Sequence, residues 1–314
     1  MTSGLSSPLR GILLKCASVT VFTVMAALVK ATSAPEIGVP PGQQVFFRSL
    51  FAVPVILAWL VWRREWRGGL HSVRPMGHVY RGLAGTAAMG FGFWALALLP
   101  LPEATAIGYA SPLLVVVFAG MFLGEDVRAF RLGMVALGLC GVLIVLSPQL
   151  GSGAGDADPA RMLGAVVALT GAICTALAMI FVRKLVQVER TSAIVFWFSI
   201  TASGLSLLTL PFGWVLPDLP TLALLVTTGL LGGVGQILLT SAYRHADASV
   251  IAPFDYVSML LAVGIGWWFF AEVPGLPVIL GAAIVILAGI MIIWRERKLG
   301  LERAAQRKAS TPQG

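Results

Sequence analysis

Apolar stretches long enough to cross a bilayer recur ten times along the chain, at about 12–30, 43–62, 77–99, 104–123, 131–148, 161–182, 192–213, 219–241, 248–270 and 277–294. Each is close to the roughly 20 residues that span a hydrocarbon core as a helix. A long apolar segment in lipid can satisfy its own backbone only as a helix, so all ten are predicted to be helical. Most connectors are short. The longer polar links lie near 31–42, 63–76 and 149–160, and the last, "SPQLGSGAGDADPA" (147–160), divides the chain almost in half.

The two halves resemble each other. "IGYASPLLVVVFAGMFLGE" (107–125) lies over "FDYVSMLLAVGIGWWFFAE" (254–272), which sets Tyr109 on Tyr256, Ser111 on Ser258, Leu113 on Leu260 and Glu125 on Glu272. The same offset sets Gly82 on Gly229 and Gly85 on Gly232; one inserted residue later, Gly133 matches Gly281 and Gly141 matches Gly289. "VFFRSL" (45–50) matches "VFWFSI" (195–200). The halves are therefore read as residues 1–148 and 161–294, five spans each, followed by a basic tail at 295–314.

Five is odd, so the second copy must be inverted, and the charges of equivalent loops agree. The loop after the second span holds Arg63, Arg64, Arg67, Arg74 and Arg81, whereas its counterpart "PFGWVLPDLP" (211–220) holds no cation. With both termini cytoplasmic, 19 of the 22 lysines and arginines fall inside, leaving Lys30, Arg48 and Arg161. That follows the positive-inside rule. The expected architecture is an all-α membrane protein of ten transmembrane helices in two inverted five-helix repeats. Such repeats suit alternating access to a central site.

Composition sharpens this picture. The chain of 314 residues is 58% hydrophobic and 11% charged, with a mean hydropathy of +0.90. A soluble domain carries about 25% charged residues, so most of this surface must face lipid. The net charge of +8 is accounted for by cytoplasmic loops and a tail suited to anionic headgroups, not by a nucleic-acid partner. Cys16, Cys140 and Cys174 all sit in apolar runs and read as packing residues. The hydrophobic N-terminus has no small-residue cleavage site after it and reads as an uncleaved first span. No GxxxxGK[ST], HExxH or GxSxG stretch occurs, and His71, His78 and His245 form no constellation. No catalytic group, metal site or cofactor is expected; an intramembrane enzyme and a scaffold subunit are the alternatives to a transporter. A homodimer is left open.

The repeated order, together with the ending "GEDVRAFRLGMVALGLCGVLIVL" (124–146) and its counterpart "AEVPGLPVILGAAIVILAGIMII" (271–293), resembles the drug/metabolite transporter superfamily, EamA type. "VFFRSL", "HVYRGLAG", "LPEATAIGYASPL" and "DASVIAPFDYVSMLLAVGIGWWFFAEVP" are similar to the branch that contains bacterial uptake carriers for riboflavin and S-adenosylmethionine. The resemblance implies import of an aromatic or nucleoside-like metabolite across the inner membrane, riboflavin first, with S-adenosylmethionine uptake or the amino-acid and metabolite export of other branches as alternatives.

Several residues stand out as candidates for binding a small-molecule substrate. Arg48 and Asp255 are charges inside spans, and each replaces an uncharged residue in the other repeat, Phe198 and Gly108. Intramembrane charge is costly and must face protein or water. Arg48 could snorkel to the interface, pair with Asp255 or hold an anionic substrate group; Asp255 could hydrogen-bond a neighbouring helix, meet a substrate cation or carry a coupling proton. Tyr109 and Tyr256, brought together by the inverted symmetry, could form aromatic walls with Phe91 and Trp94. Gln236 could orient a ligand or bridge helices. Glu125 and Glu272, at span ends, read as caps or interface anchors.

Overall fold

A computed structural model describes residues 7–64, 68–123, 129–150, 158–246 and 251–309. Glu125 and the centre of the link between the halves lie outside the described residues. The described residues form helices only. The first half contains α1 (Ser7–Thr32), α2 (Pro41–Leu50), α3 (Ala52–Trp62), α4 (Pro75–Leu98), α5 (Leu101–Gly108), α6 (Ala110–Leu123) and α7 (Ala129–Leu150). The second contains α8 (Pro159–Leu185), α9 (Thr191–Leu207), α10 (Leu219–His245), a 3-10 turn (Ala252–Tyr256), α11 (Val257–Phe270) and α12 (Leu276–Ala309).

These elements make ten spans, because α2 with α3, α5 with α6, and the 3-10 turn with α11 are broken single spans. Among the described residues eight stretches are long and apolar enough to cross a membrane, and Thr191–Leu207 is a shorter apolar helix. The tenth is α4, whose first turns carry His78, Tyr80 and Arg81. Prolines place two of the breaks. Pro54 has no N–H for the carbonyl of Leu50, and Pro112 none for that of Gly108, so the helices are interrupted at Phe51 and Tyr109. The seventh span ends at Leu207, short of the expected 213, because Pro211 disfavours helix at the residue before it.

The repeats interlock. Helix α1 packs on α10 and α4 on α8, contacts that exchange under the pseudo-two-fold axis, while α2 packs on α9 and α7 on α12 across it. Matched glycines record the symmetry at atomic scale. A Cβ on Gly82 would strike Thr201 and one on Gly229 would strike Phe51; a Cβ on Gly85 would meet Phe198 and one on Gly232 would meet Arg48. Matched glycines thus touch matched positions on α9 and α2, where any side chain would force the helices apart.

The connectors sort to the two ends of the bundle as the charge pattern requires. At one end the Gln43 amide donates to the carbonyl of Val215 at 2.8 Å and its carbonyl accepts from the Val215 N–H at 3.0 Å. At the other end Glu189, 8% exposed, accepts from the N–H groups of Val73 and Arg74 at 2.7 Å each, with His78 Nε2 at 3.3 Å. Burial opposes ionisation of Glu189, but those two N–H groups, together with His78 and the Ser72 hydroxyl, outweigh it and hold the carboxyl below its ordinary range.

Candidate functional site

Between the repeats lie two chambers that share Ala26, Thr105, Gly108, Thr175 and Met179 on their walls. The narrower, of about 370 Å³, is lined by Arg48, Arg81, Phe198 and Gln236 together with small residues of α4 and α8. The wider, of about 470 Å³, is lined by Lys15, Tyr109, Arg131, Arg183, Asp255 and Tyr256 among others. Arg183 is exposed on the last turn of α8, so the wider chamber reaches the surface at that end.

At the opposite end an ion pair ties the repeats together. Lys30, on the last turn of α1, has its Nζ 2.8 Å from Glu272 Oε1 and donates to the carbonyl of Leu99 at 2.8 Å. The other oxygen of Glu272 accepts from the N–H of Leu101 at 2.8 Å, so this glutamate caps the first turn of a helix in the other repeat. It is aimed there by its neighbour. Ala271 ends α11 in the left-handed region at φ 53°, and the Glu272 N–H folds back onto the carbonyl of Gly266 at 2.9 Å. A non-glycine residue held in that region costs about 1–2 kcal/mol.

In the wider chamber the matched tyrosines meet. Their ring centroids are 5.2 Å apart in an edge-to-face arrangement, a geometry worth about 0.5–1.5 kcal/mol beyond burial. The hydroxyls of Tyr109 and Ser258 are 2.6 Å apart, and Ser258 also donates to the carbonyl of Asp255 at 2.6 Å. Gly289 leaves room for the Tyr256 hydroxyl, which a Cβ there would strike. The Asp255 side chain, 36% exposed, lies on the chamber wall with its Oδ1 2.6 Å from the Nζ of Lys15, itself 3% exposed. Lys15, not Arg48, is therefore the cation that meets Asp255.

Arg48 does not snorkel. It is 4% exposed, Arg81 is 8% exposed, and both line the narrower chamber. The guanidinium carbons lie 5.6 Å and 4.0 Å from the ring centre of Phe198. Nε of Arg48 and both Nε and Nη1 of Arg81 are buried without a hydrogen-bond partner. Gly85 and Gly232 make the space, since a Cβ on either would collide with the side chain of Arg81 or Arg48. An arginine at mid-membrane costs about 2.5–3.5 kcal/mol on the insertion scale. One ring returns about 2 kcal/mol or more to a desolvated cation well placed over its face, and less near the 6 Å limit where Arg48 sits.

Two expected wall residues are elsewhere. Trp94 is 39% exposed on the outer face of α4, because Phe93 takes the inward position and the next residue is turned about 100° away. Phe91 packs at the α4–α8 contact, its Cβ 3.3 Å from where a Cβ of Gly171 would be, and lines neither chamber. Gln236, Tyr109, Tyr256, Asp255 and Arg48 all reach the cavity walls. Sequence reasoning missed Arg81 and Lys15, which it counted among the cations on the cytoplasmic side, and the role of Lys30. The glycine matched in both repeats, Gly85 with Gly232, was the one available signal for the arginine site.

Known proteins of this kind can now be set beside the geometry. A model of the EamA-like transporter family matches residues 9–147 and 162–295. A pseudopaline exporter of Pseudomonas aeruginosa is 32% identical over 286 residues, 90% of this chain and 95% of that one. A riboflavin transporter of Rhizobium johnstonii is 32% identical over 258 residues, covering 81% and 80%. An S-adenosylmethionine uptake transporter of Rickettsia bellii is 31% identical over 253 residues, covering 81% and 84%. A crystal structure superposes with a TM-score of 0.64 at 21% identity, over 92% of this chain and 98% of that one, a likeness of fold alone. With matches over most of both repeats and relatives that align nearly end to end, this multi-pass membrane protein belongs to the EamA-like transporter family.

Proposed function

We propose that the chain is a secondary carrier of the bacterial inner membrane, with both termini cytoplasmic, that moves a small metabolite by alternating access and is captured here open to the cytoplasm. The observation that carries this reading is the unlike state of the two ends of one shared cavity. The end that holds Arg183 and most of the loop cations is open, whereas the end that holds Lys30 and Glu272 is sealed by an ion pair between the repeats. Rocking one repeat against the other would release the seal and close the open end, exposing the same walls to the other side.

The substrate contacts in this reading are Arg48 and Gln236 in the narrower chamber and Tyr109, Asp255 and Tyr256 in the wider one. Riboflavin uptake is the first cargo reading. It is supported by the relatives that bear that name and by tyrosine rings against which a flat ring can pack. S-adenosylmethionine uptake is the second, supported by its namesake relatives and by a carboxylate on the chamber wall. Export is the third, supported by the pseudopaline exporter.

The test is growth of a riboflavin auxotroph at limiting external riboflavin, with labelled S-adenosylmethionine uptake measured in the same cells. Rescue by the wild-type chain, weakened by Asp255→Asn at matched membrane level, would support import. No rescue, no S-adenosylmethionine uptake and no solute flux in purified proteoliposomes would sink the carrier reading.

A further inference from the structure

We propose that the narrower chamber is an anion site, in which the carboxylate or phosphate group of the cargo is held between Arg48 and Arg81. The inference rests on the carrier reading above and names the charge of what is carried.

Three features of the chamber support it. The two guanidinium groups sit over one ring, so their central carbons are within about 10 Å of each other, at distances of 5.6 Å and 4.0 Å from its centre. Both are more than nine-tenths buried, and three of their nitrogens lack any hydrogen-bond partner. A planar guanidinium offers paired N–H donors in the fork that suits a carboxylate or a phosphate, which makes open nitrogens on a cavity wall a recognition surface.

The carboxylate on the described cavity walls, Asp255, meets Lys15 and belongs to the other chamber. Two like charges brought together repel, and among the described residues no ion pair involves Arg48 or Arg81. An entering anion would relieve both the repulsion and the missing hydrogen bonds. Phe198 lies against both cations, while Gly85 and Gly232 keep side chains out of their way. Gln236 adds an amide to the same wall. The shared wall at Thr105 and Gly108 then lets the body of the cargo extend toward Tyr109 and Tyr256. A neutral flavin fits the tyrosines but leaves both arginines open. The chamber therefore favours a cargo with a fixed negative group.

The experiment uses the purified full-length chain in detergent. Phenylglyoxal modification of Arg48 and Arg81 is followed by mass spectrometry in the presence of citrate, inorganic phosphate or neutral succinamide, at ionic strength matched with sodium chloride. Citrate or phosphate should slow modification of both arginines at least fivefold, and succinamide should leave it unchanged. The stronger of the two anions identifies the group. Thermal unfolding should then show that anion stabilising the wild type, with at least a tenfold weaker apparent affinity in Arg48→Gln and Arg81→Gln and partial recovery in Arg48→Lys.

Equal modification with and without either anion overturns the proposal in the wild-type protein, whatever the fate of the variants. So does equal stabilisation of wild type and Arg48→Gln/Arg81→Gln. Both readouts are independent of transport. A chain that binds the anion and moves no solute fails the carrier reading alone, and one that moves riboflavin at full rate as Arg48→Gln/Arg81→Gln fails the anion site alone.

Discussion

Removing the charge of Glu272 should open the sealed end of the cavity, and the size of the effect can be worked from the contacts there. In Glu272→Gln the amide oxygen keeps the bond to the Leu101 N–H, and Lys30 keeps the Leu99 carbonyl, so what is lost is the ion pair at 2.8 Å. Removing one partner of a fully buried pair costs about 3–5 kcal/mol, and an exposed pair is worth at most about 1 kcal/mol. The two side chains are 14% and 17% exposed, which puts the loss between these, at about 2–3 kcal/mol. The pair exists only while this end is closed, so its loss falls on one side of the conformational equilibrium. At 1.4 kcal/mol per tenfold, the ratio of open to closed shifts by roughly 30- to 150-fold. Ala26, one turn before Lys30 and on the wall of both chambers, is the reporter. With Cys16, Cys140 and Cys174 replaced by serine, Ala26→Cys is labelled with an impermeant maleimide added outside right-side-out vesicles. Labelling should accelerate in Glu272→Gln and Lys30→Met, without a matching loss of melting temperature. Wild-type labelling rates in both variants would refute the seal.

Three further outcomes are expected. Leu216, 99% exposed in the loop before α10, should as Leu216→Cys react with an impermeant reagent from the periplasm of intact cells; reaction only after lysis would overturn the topology. Glu189, whose folded carboxyl titrates below its ordinary value of 4.5, contributes stability that is present above that value and is lost as pH falls through the lower folded one. Glu189→Ala leaves the N–H groups of Val73 and Arg74 without their acceptor, so it should cost about 1–3 kcal/mol at neutral pH and flatten the acid limb of a melting-temperature profile. Asp255→Asn removes the charge that Lys15 meets while keeping the shape of the wall. It should spare solute exchange and abolish uptake driven by a pH gradient, and normal driven uptake would show that Asp255 carries no coupling proton.

The fold was legible because its signals are chemical and redundant. Unbroken apolar runs give spans, and Tyr109 with Tyr256, or Gly85 with Gly232, give the repeat; in the folded chain the tyrosines touch and the glycines contact equivalent helices. The cavity walls were legible where a charge or an amide interrupts an apolar run, as at Arg48, Asp255 and Gln236, and where the repeat pairs two tyrosines, Tyr109 and Tyr256. Arg81 lies six residues into α4 after a run of arginines, so along the chain it looks like one more interfacial cation. Only packing against α9 carries it to Phe198. Lys15 is hidden in the same way near the start of α1. Trp94 failed for another reason. The middle of α4 is apolar on every side, which leaves nothing in the pattern to choose between Phe93 and its neighbour. The Lys30–Glu272 pair joins residues more than two hundred positions apart, and no local pattern announces it.

The most direct test of the central claim is counterflow in proteoliposomes that carry Lys30→Cys/Glu272→Cys in the cysteine-free background. Riboflavin, S-adenosylmethionine and citrate are each supplied as labelled solute outside and unlabelled solute inside. The account expects at least one solute to accumulate transiently, the flux to stop when a short bis-methanethiosulfonate linker joins the two cysteines, and the flux to return on reduction. Accumulation that continues at the same rate with the linker in place, or no accumulation of any solute beyond that of empty liposomes, would contradict it.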